Sequence, residues 1–192
     1  MKQIDAKAQK YFAVSRAILE IIESHGEKSL THSEIARLSK VSRAWIYEYM
    51  GKDKEDLVNV AADVFGGFFT RPKKAVTINS ATDLQEMLRL GLEATFDNVK
   101  EEPVIIKLYY RFRGTPTPIG EVIKKYEKHW LDYMSAHFMR ILNMNQKNAL
   151  NVARTILTIR LGFSHRAATS STPAKDIAEA KEAMDLIYLQ IF

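Results

Sequence analysis

The feature that most constrains this chain is the spacing of its apolar residues, which return every three or four positions almost from end to end. From Tyr11 to Ser24, Val14, Ile18, Ile21 and Ile22 fall on one helical face. Leu57, Val60, Ala61, Val64 and Phe65 repeat the pattern in a segment running from Lys54 through Phe69. Helical patterns resume over Asp83–Val99, Pro103–Phe112, Ile119–Leu142, Gln146–His165 and Pro173–Ile191, with breaks at Gly114–Pro118 and Ser170–Pro173. No convincing strand, repeat or low-complexity tract interrupts the series. The expected fold class is all-α.

A softer break divides the chain. Gly66 and Gly67 loosen the end of one helix, and Arg71, Pro72, Lys73 and Lys74 follow as a polar stretch. The expected organisation is a three- or four-helix head over residues 1–69 and a helical bundle over residues 70–192. In the bundle's last helix, Ile177, Ala180, Met184, Ile187 and Ile191 form an apolar stripe, read as a dimer face in competition with packing inside one subunit.

Composition closes several classes. With no cysteine, disulfides, thiolate metal sites and thiol catalysis are excluded. No run of about 18 uncharged apolar residues marks a membrane span, and the first residues lack the pattern of a secretion signal, so a cytoplasmic protein is expected. The five histidines are scattered without an HExxH pair, Ser135 and His137 are too close in sequence to share a helix face, and neither GxGxxG nor a phosphate-loop lysine occurs. A non-enzyme with no cofactor and no metal is expected.

The net charge of +5 permits a polyanionic partner, and its distribution is more telling. Residues 1–57 hold ten Lys/Arg against nine Asp/Glu. Within 37–54, however, Arg37, Lys40, Arg43, Lys52 and Lys54 face only Glu48 and Asp53. The basic excess is local, and it coincides with two short helices.

The first of these begins where Thr31 can cap the amides ahead of it and Glu34 can reach back in a capping box, with Ile35 and Leu38 facing inward. Lys40 and Val41 make the turn. Ser42 caps a second helix, Arg43–Met50, whose Ile46 and Met50 face inward and which Gly51 closes. Arg43, Ala44, Trp45 and Tyr49 are left facing away from the core. Two short helices in this relation form a helix-turn-helix, the geometry that places the second helix in the DNA major groove. Thr31, His32 and Ser33 at a helix start can meet a phosphate, as can Ser42, Tyr47 and Lys54. Arg43, Ala44, Trp45 and Tyr49 are placed to read bases.

The run from Leu30 to Leu57, LTHSEIARLSKVSRAWIYEYMGKDKEDL, resembles the DNA-binding domain of the TetR (tetracycline repressor) family. The resemblance rests on Gly26, Thr31, Ile35, Ala36, Val41, Ser42, Ile46, Tyr47, Lys54, Glu55 and Leu57. Met50 stands where that family usually has Phe, and Lys54–Leu57 comes one residue later than usual. The resemblance implies a homodimer that binds a palindromic double-stranded DNA operator, a repressor released when a small-molecule effector enters the C-terminal domain. It also implies that Asn148–Ser164 and Pro173–Ile191 dimerise.

Candidate effector-binding residues are Tyr109, Arg113, Trp130, Tyr133, Met134 and His137, drawn from an aromatic-rich stretch with polar anchors. Ordinary core packing competes with that reading. For the whole chain, the alternative to DNA binding is a helical protein-interaction module, consistent with the nearly neutral head.

Overall fold

The computed structural model describes residues 6–70 and 77–192. The polar break at Arg71, Pro72, Lys73 and Lys74 lies outside the described residues. Nine helices follow one another among the described residues: α1 (Ala6–His25), α2 (His32–Ser39), α3 (Arg43–Tyr49), α4 (Lys54–Thr70), α5 (Ala81–Glu101), α6 (Pro103–Phe112), α7 (Pro118–Leu142), α8 (Gln146–Thr169) and α9 (Pro173–Ile191). The all-α class is as the periodicity requires. Two compact units share the chain. The first takes the residues through Thr70 together with Leu108–Lys124, and the second takes the rest.

In the first unit α1 packs against α4 and α2, and α2 against α3. Val14, Ile18, Leu19 and Ile22 on α1 are buried, as are Leu57, Val58, Ala61 and Phe65 on α4. Each large side chain so buried contributes about 1.5–3 kcal/mol, which is why short α2 and α3 can exist at all. Their own anchors are few: Ile35 on α2, Ile46 on α3, and Val41 and Met50 beside them. Leu38, expected to face inward, is 37% exposed. Helix α2 ends at Ser39, and Val41 in the turn that follows is buried.

Helix α1 starts earlier than its apolar stripe and stops where Gly26 adopts φ 80°. Its last carbonyls are not left bare. Gly26 N–H donates to Ile22 O at 3.1 Å, and Arg111 Nη1 donates to Ile22 O at 3.0 Å and Glu23 O at 2.6 Å. A cation at this end also opposes the helix dipole. A 3-10 turn at Glu27–Ser29, not foreseen from the sequence, then leads to α2.

In the second unit α8 packs on α9, and α5 on both. Ser80 and Asp83 form a capping box ahead of α5, with Asp83 N–H donating to Ser80 Oγ at 3.1 Å and Ser80 N–H to Asp83 Oδ2 at 2.9 Å. Asn145 caps α8. The core combines Leu84, Leu88, Leu92 and Phe96 of α5 with Ala149, Ala153 and Ile156 of α8 and Ile177, Ala180, Met184 and Tyr188 of α9. Of the stripe, Ile177, Ala180 and Met184 are buried within their own unit, in line with packing inside one subunit, while Ile187 and Ile191 are half-buried. Alanines at 149, 153 and 180, all buried, let α8 and α9 approach closely. The apolar residues that α9 turns outward are Leu186 and Leu189, 65% and 69% exposed. Across the α8–α9 connection, Arg166 Nε donates to Asp176 Oδ1 at 2.6 Å and its Nη2 meets Glu179.

Candidate nucleic-acid interface

The start of α2 is built by Thr31, whose extended backbone lets Oγ1 accept from Glu34 N–H at 3.2 Å. The reciprocal half of the expected capping box gives way to a stronger partner. Glu34 instead receives Arg37 through Nε at 3.0 Å and Nη2 at 2.5 Å, a bidentate pair that holds the Glu34 carboxyl below its usual range.

The turn is tight because Lys40 takes a left-handed conformation, φ 59° and ψ 23°. Ser42 then caps α3, its Oγ accepting from Trp45 N–H at 3.3 Å. Between α2 and α3 lies an open groove lined by Ser33, Ala36, Arg37, Lys40, Val41, Ser42 and Arg43. Arg43 Nη1 donates across it to Ser33 Oγ at 3.4 Å. Thr31, Ser33, Ser42, Arg43, Ala44 and Tyr47 are exposed on this side of the unit. The groove therefore has three cations and two hydroxyls, Ser33 and Ser42, each hydroxyl at the start of a helix. That is a surface for anionic oxygens.

Three expected site residues are held more firmly than the sequence suggested. His32 stacks on Tyr47 with ring centroids 4.0 Å apart, and its Nε2 donates to Gly51 O at 3.2 Å. Trp45 and Tyr49, expected to face away from the core, are half-buried against α1. Trp45 meets the Tyr11 ring edge-on at 5.2 Å and lies 4.9 Å from Tyr49, and Tyr11 Oη donates to Tyr49 O at 2.6 Å. A seven-residue helix with two buried anchors cannot orient itself, and its aromatic flank supplies the missing contact.

Lys54 Nζ donates to Lys28 O at 2.8 Å, so α4 is tied to the 3-10 turn. Gly51 closes α3 at φ 116°, where a Cβ would lie 2.3 Å from Asp56 Cβ. Only glycine fits that position.

Two residues absent from the sequence-derived set join the aromatic flank: Lys7 Nζ sits 4.2 Å over the Tyr49 ring and Lys10 Nζ 5.8 Å from the Trp45 ring. Their signal was present in the sequence, since Lys7, Lys10 and Tyr11 are three and four apart. It was hidden because the apolar stripe begins only at Tyr11.

The candidate effector residues are divided between the units. Tyr109 and Arg113 belong to the first, where Arg113 Nε donates to Tyr109 Oη at 3.2 Å and Tyr109 is buried. Trp130, Tyr133, Met134 and His137 lie on α7 in the second. Met134 is buried, Trp130 and His137 half-buried, and Tyr133 exposed with its ring 4.5 Å from His137. Burial, and then the charge of Arg140, lowers the His137 pKa. Arg140 Nη2 itself donates to Ile78 O at 2.6 Å.

Among the described residues no group of histidines and acids could hold a metal ion, and no helix is long and apolar enough to cross a membrane. No protein-family model matches the sequence, and no curated protein is similar to it.

Solved structures are similar over nearly the full length. A TetR transcriptional regulator from Legionella pneumophila superposes with a TM-score of 0.69 at 14% identity, covering 97% of this chain and 99% of its own. A TetR-like transcriptional regulator from Rhodococcus sp. RHA1 gives 0.69 at 12% identity, with 98% and 97% covered. FadR from Bacillus subtilis, solved with stearoyl-CoA, gives 0.66 at 17% identity, with 93% and 97% covered. The chain thus has, from its helix-turn-helix to its last helix, the fold of the TetR-like transcriptional regulators.

Proposed function

We propose that this protein is a sequence-specific DNA-binding transcriptional regulator, working as a homodimer on a palindromic operator and released by a small effector taken up in its second unit. The observation that carries the reading is the groove between α2 and α3, where Arg37, Lys40 and Arg43 stand beside the exposed Ser33 and Ser42 hydroxyls. Phosphates would lie at the two helix N-termini, contacted by Thr31, Ser33, Ser42, Lys40 and Tyr47. Arg43 and Ala44, at the exposed start of α3, would meet base edges, a guanine and a thymine methyl. His32, Trp45 and Tyr49 act by holding α3 in place, and Lys54 by tying α4 to the 3-10 turn that precedes α2. Each has a partner on another element, and the partners of the first three fix the angle at which α3 is presented.

The effector half of the reading is supported by likeness. FadR from Bacillus subtilis was solved with stearoyl-CoA, and its chain follows the same fold through the second unit. Regulation rather than catalysis, and a cytoplasmic site of action, go with this reading. For the dimer, the outward Leu186 and Leu189 of α9 are the supporting residues.

The test is selection of binding sites from random duplex DNA by the full-length chain at two salt concentrations. Recovery of a palindrome whose affinity falls linearly with salt on a logarithmic scale supports the reading. No enrichment at either salt overturns it and favours a protein-interaction module.

A further inference from the structure

Ile46 is fully buried and sets the direction in which α3 faces inward. At about 100° per residue, Arg43 and Tyr47 fall on one flank of the helix and Trp45 and Tyr49 on the other, while Ala44 and Glu48 stand about 160° from Ile46. The contacts agree. Arg43 and Tyr47 meet Ser33 and His32 at the start of α2, and Trp45 and Tyr49 meet Tyr11 on α1. Ala44 and Glu48, one turn apart and both exposed, form the outermost line of α3.

Cations stand on both sides of that line. Arg37, Lys40 and Arg43 line the groove toward α2, and Lys7 and Lys10 sit over the aromatic rings toward α1. In the same unit Glu34 is paired with Arg37 and Glu20 with Arg16. Glu48 is different. Among the described residues it makes no ion pair, and its contact is with the Tyr49 hydroxyl, whose pKa it raises. A carboxylate accepts at two oxygens, so room for a second donor remains.

A helix laid in the major groove has a sugar-phosphate strand on either side and base edges beneath its outermost line. Flanking cations suit the strands. A carboxylate on the central line is repelled by phosphate, so it costs affinity on every sequence that offers it no donor, and such a penalty is how a binder excludes wrong partners. The major-groove donors are the adenine N6 and cytosine N4 amines. Adenine shows its amine beside the N7 acceptor, which opposes a carboxylate, whereas cytosine shows its amine alone. Ala44, one turn away, has no side chain long enough to hold the helix off the base edges.

We propose that Glu48 is a specificity-determining residue whose carboxylate accepts from the N4 amine of one cytosine in each half-site. This rests on the reading of α3 as the helix that enters the major groove. It adds a contact one helical turn beyond Ala44, of a sign opposite to that of Arg43.

The experiment measures the affinity of the full-length wild-type chain, Glu48→Gln and Glu48→Ala for the selected operator, for its complete set of single-base variants and for a duplex of unrelated sequence, by fluorescence titration at two salt concentrations. At one position of the half-site, wild type is expected to bind a C·G pair at least about fivefold more tightly than any other pair. Glutamine donates to adenine N7 and accepts from N6, so Glu48→Gln is expected to move that preference to A·T. Glu48→Ala is expected to abolish it and to bind the unrelated duplex more tightly at low salt. Because the side chain is exposed, both variants are expected to melt within about 2 °C of wild type.

Unchanged base preferences in both variants, a Glu48-dependent position that favours an A·T pair in the wild type, a loss of affinity by the same factor on every duplex, or a clearly lower melting temperature in both variants would each overturn the assignment and leave the regulator reading standing. A wild-type chain that selects no site overturns the regulator reading and the assignment with it.

Discussion

The imidazole of His32 lies flat on the ring of Tyr47, planes 15° apart, while its Nε2 holds the carbonyl of Gly51. One residue at the start of α2 thus grips the middle of α3 and the bend that ends it. The stacked pair presents Tyr47, 44% exposed, at a fixed angle.

His32→Ala removes both contacts. Stability should fall by about 1 kcal/mol, read by thermal unfolding. Operator affinity should fall by a similar factor on the selected site and on its single-base variants, because a loosened α3 misplaces every contact together. A loss confined to one base pair would instead make His32 a base reader.

Arg43 and Lys40 line the same groove yet differ in what they are asked to recognise. Arg43→Ala should abolish discrimination at one base pair, worth about 1–3 kcal/mol, and leave the other positions as they were. Lys40→Ala should weaken all sequences alike and reduce the logarithmic salt slope by about one unit. Fluorescence titrations across a set of single-base operator variants at several salt concentrations separate the two, and identical profiles would refute the division.

Ser15 lies on α1 with its side chain wholly buried and its hydroxyl without a hydrogen-bond partner. Ser15→Ala removes the unsatisfied group and keeps nearly the same volume in a better helix former. The unfolding free energy should rise by about 1 kcal/mol and the melting temperature by about 2–4 °C. A decrease in calorimetry would show that the hydroxyl is satisfied in solution.

Asp176 reports on the α8–α9 connection through pH. The Ser170 hydroxyl, followed by the Arg166 guanidinium, holds its carboxyl below the ordinary value of 3.8. A depressed folded-state pKa means that the stabilisation is present above the unfolded value and is lost as pH falls through the folded one. Between about pH 5 and pH 2 the wild-type melting temperature should therefore drop more steeply than that of Asp176→Asn. Parallel curves would remove Asp176 from the acid response.

Helix boundaries were legible wherever a cap and a stripe agreed. Pro103–Phe112 and Pro173–Ile191 are found where the sequence places them, and α3 differs by one residue at its end. What could not be read was partner choice. Glu34 had two options in the sequence, the Thr31 amide or Arg37, and the charge-assisted one won.

Trp45 and Tyr49 had the spacing of an exposed flank, yet α1 begins five residues before its stripe and brings Lys7, Lys10 and Tyr11 against them. The stripe on α9 was correctly apolar, but period alone does not say which neighbour covers it. Ile177, Ala180 and Met184 are covered within their own unit.

The left-handed backbone of Lys40 carries a last consequence. An L-residue held at φ 59° gives up about 1–2 kcal/mol that glycine would not. Lys40→Gly is thus an easy route to a more heat-tolerant chain, and the same exchange strips a cation from the groove. Robustness and grip on DNA pull this codon in opposite directions. A library screened only for survival on heating would lose its best DNA binders first.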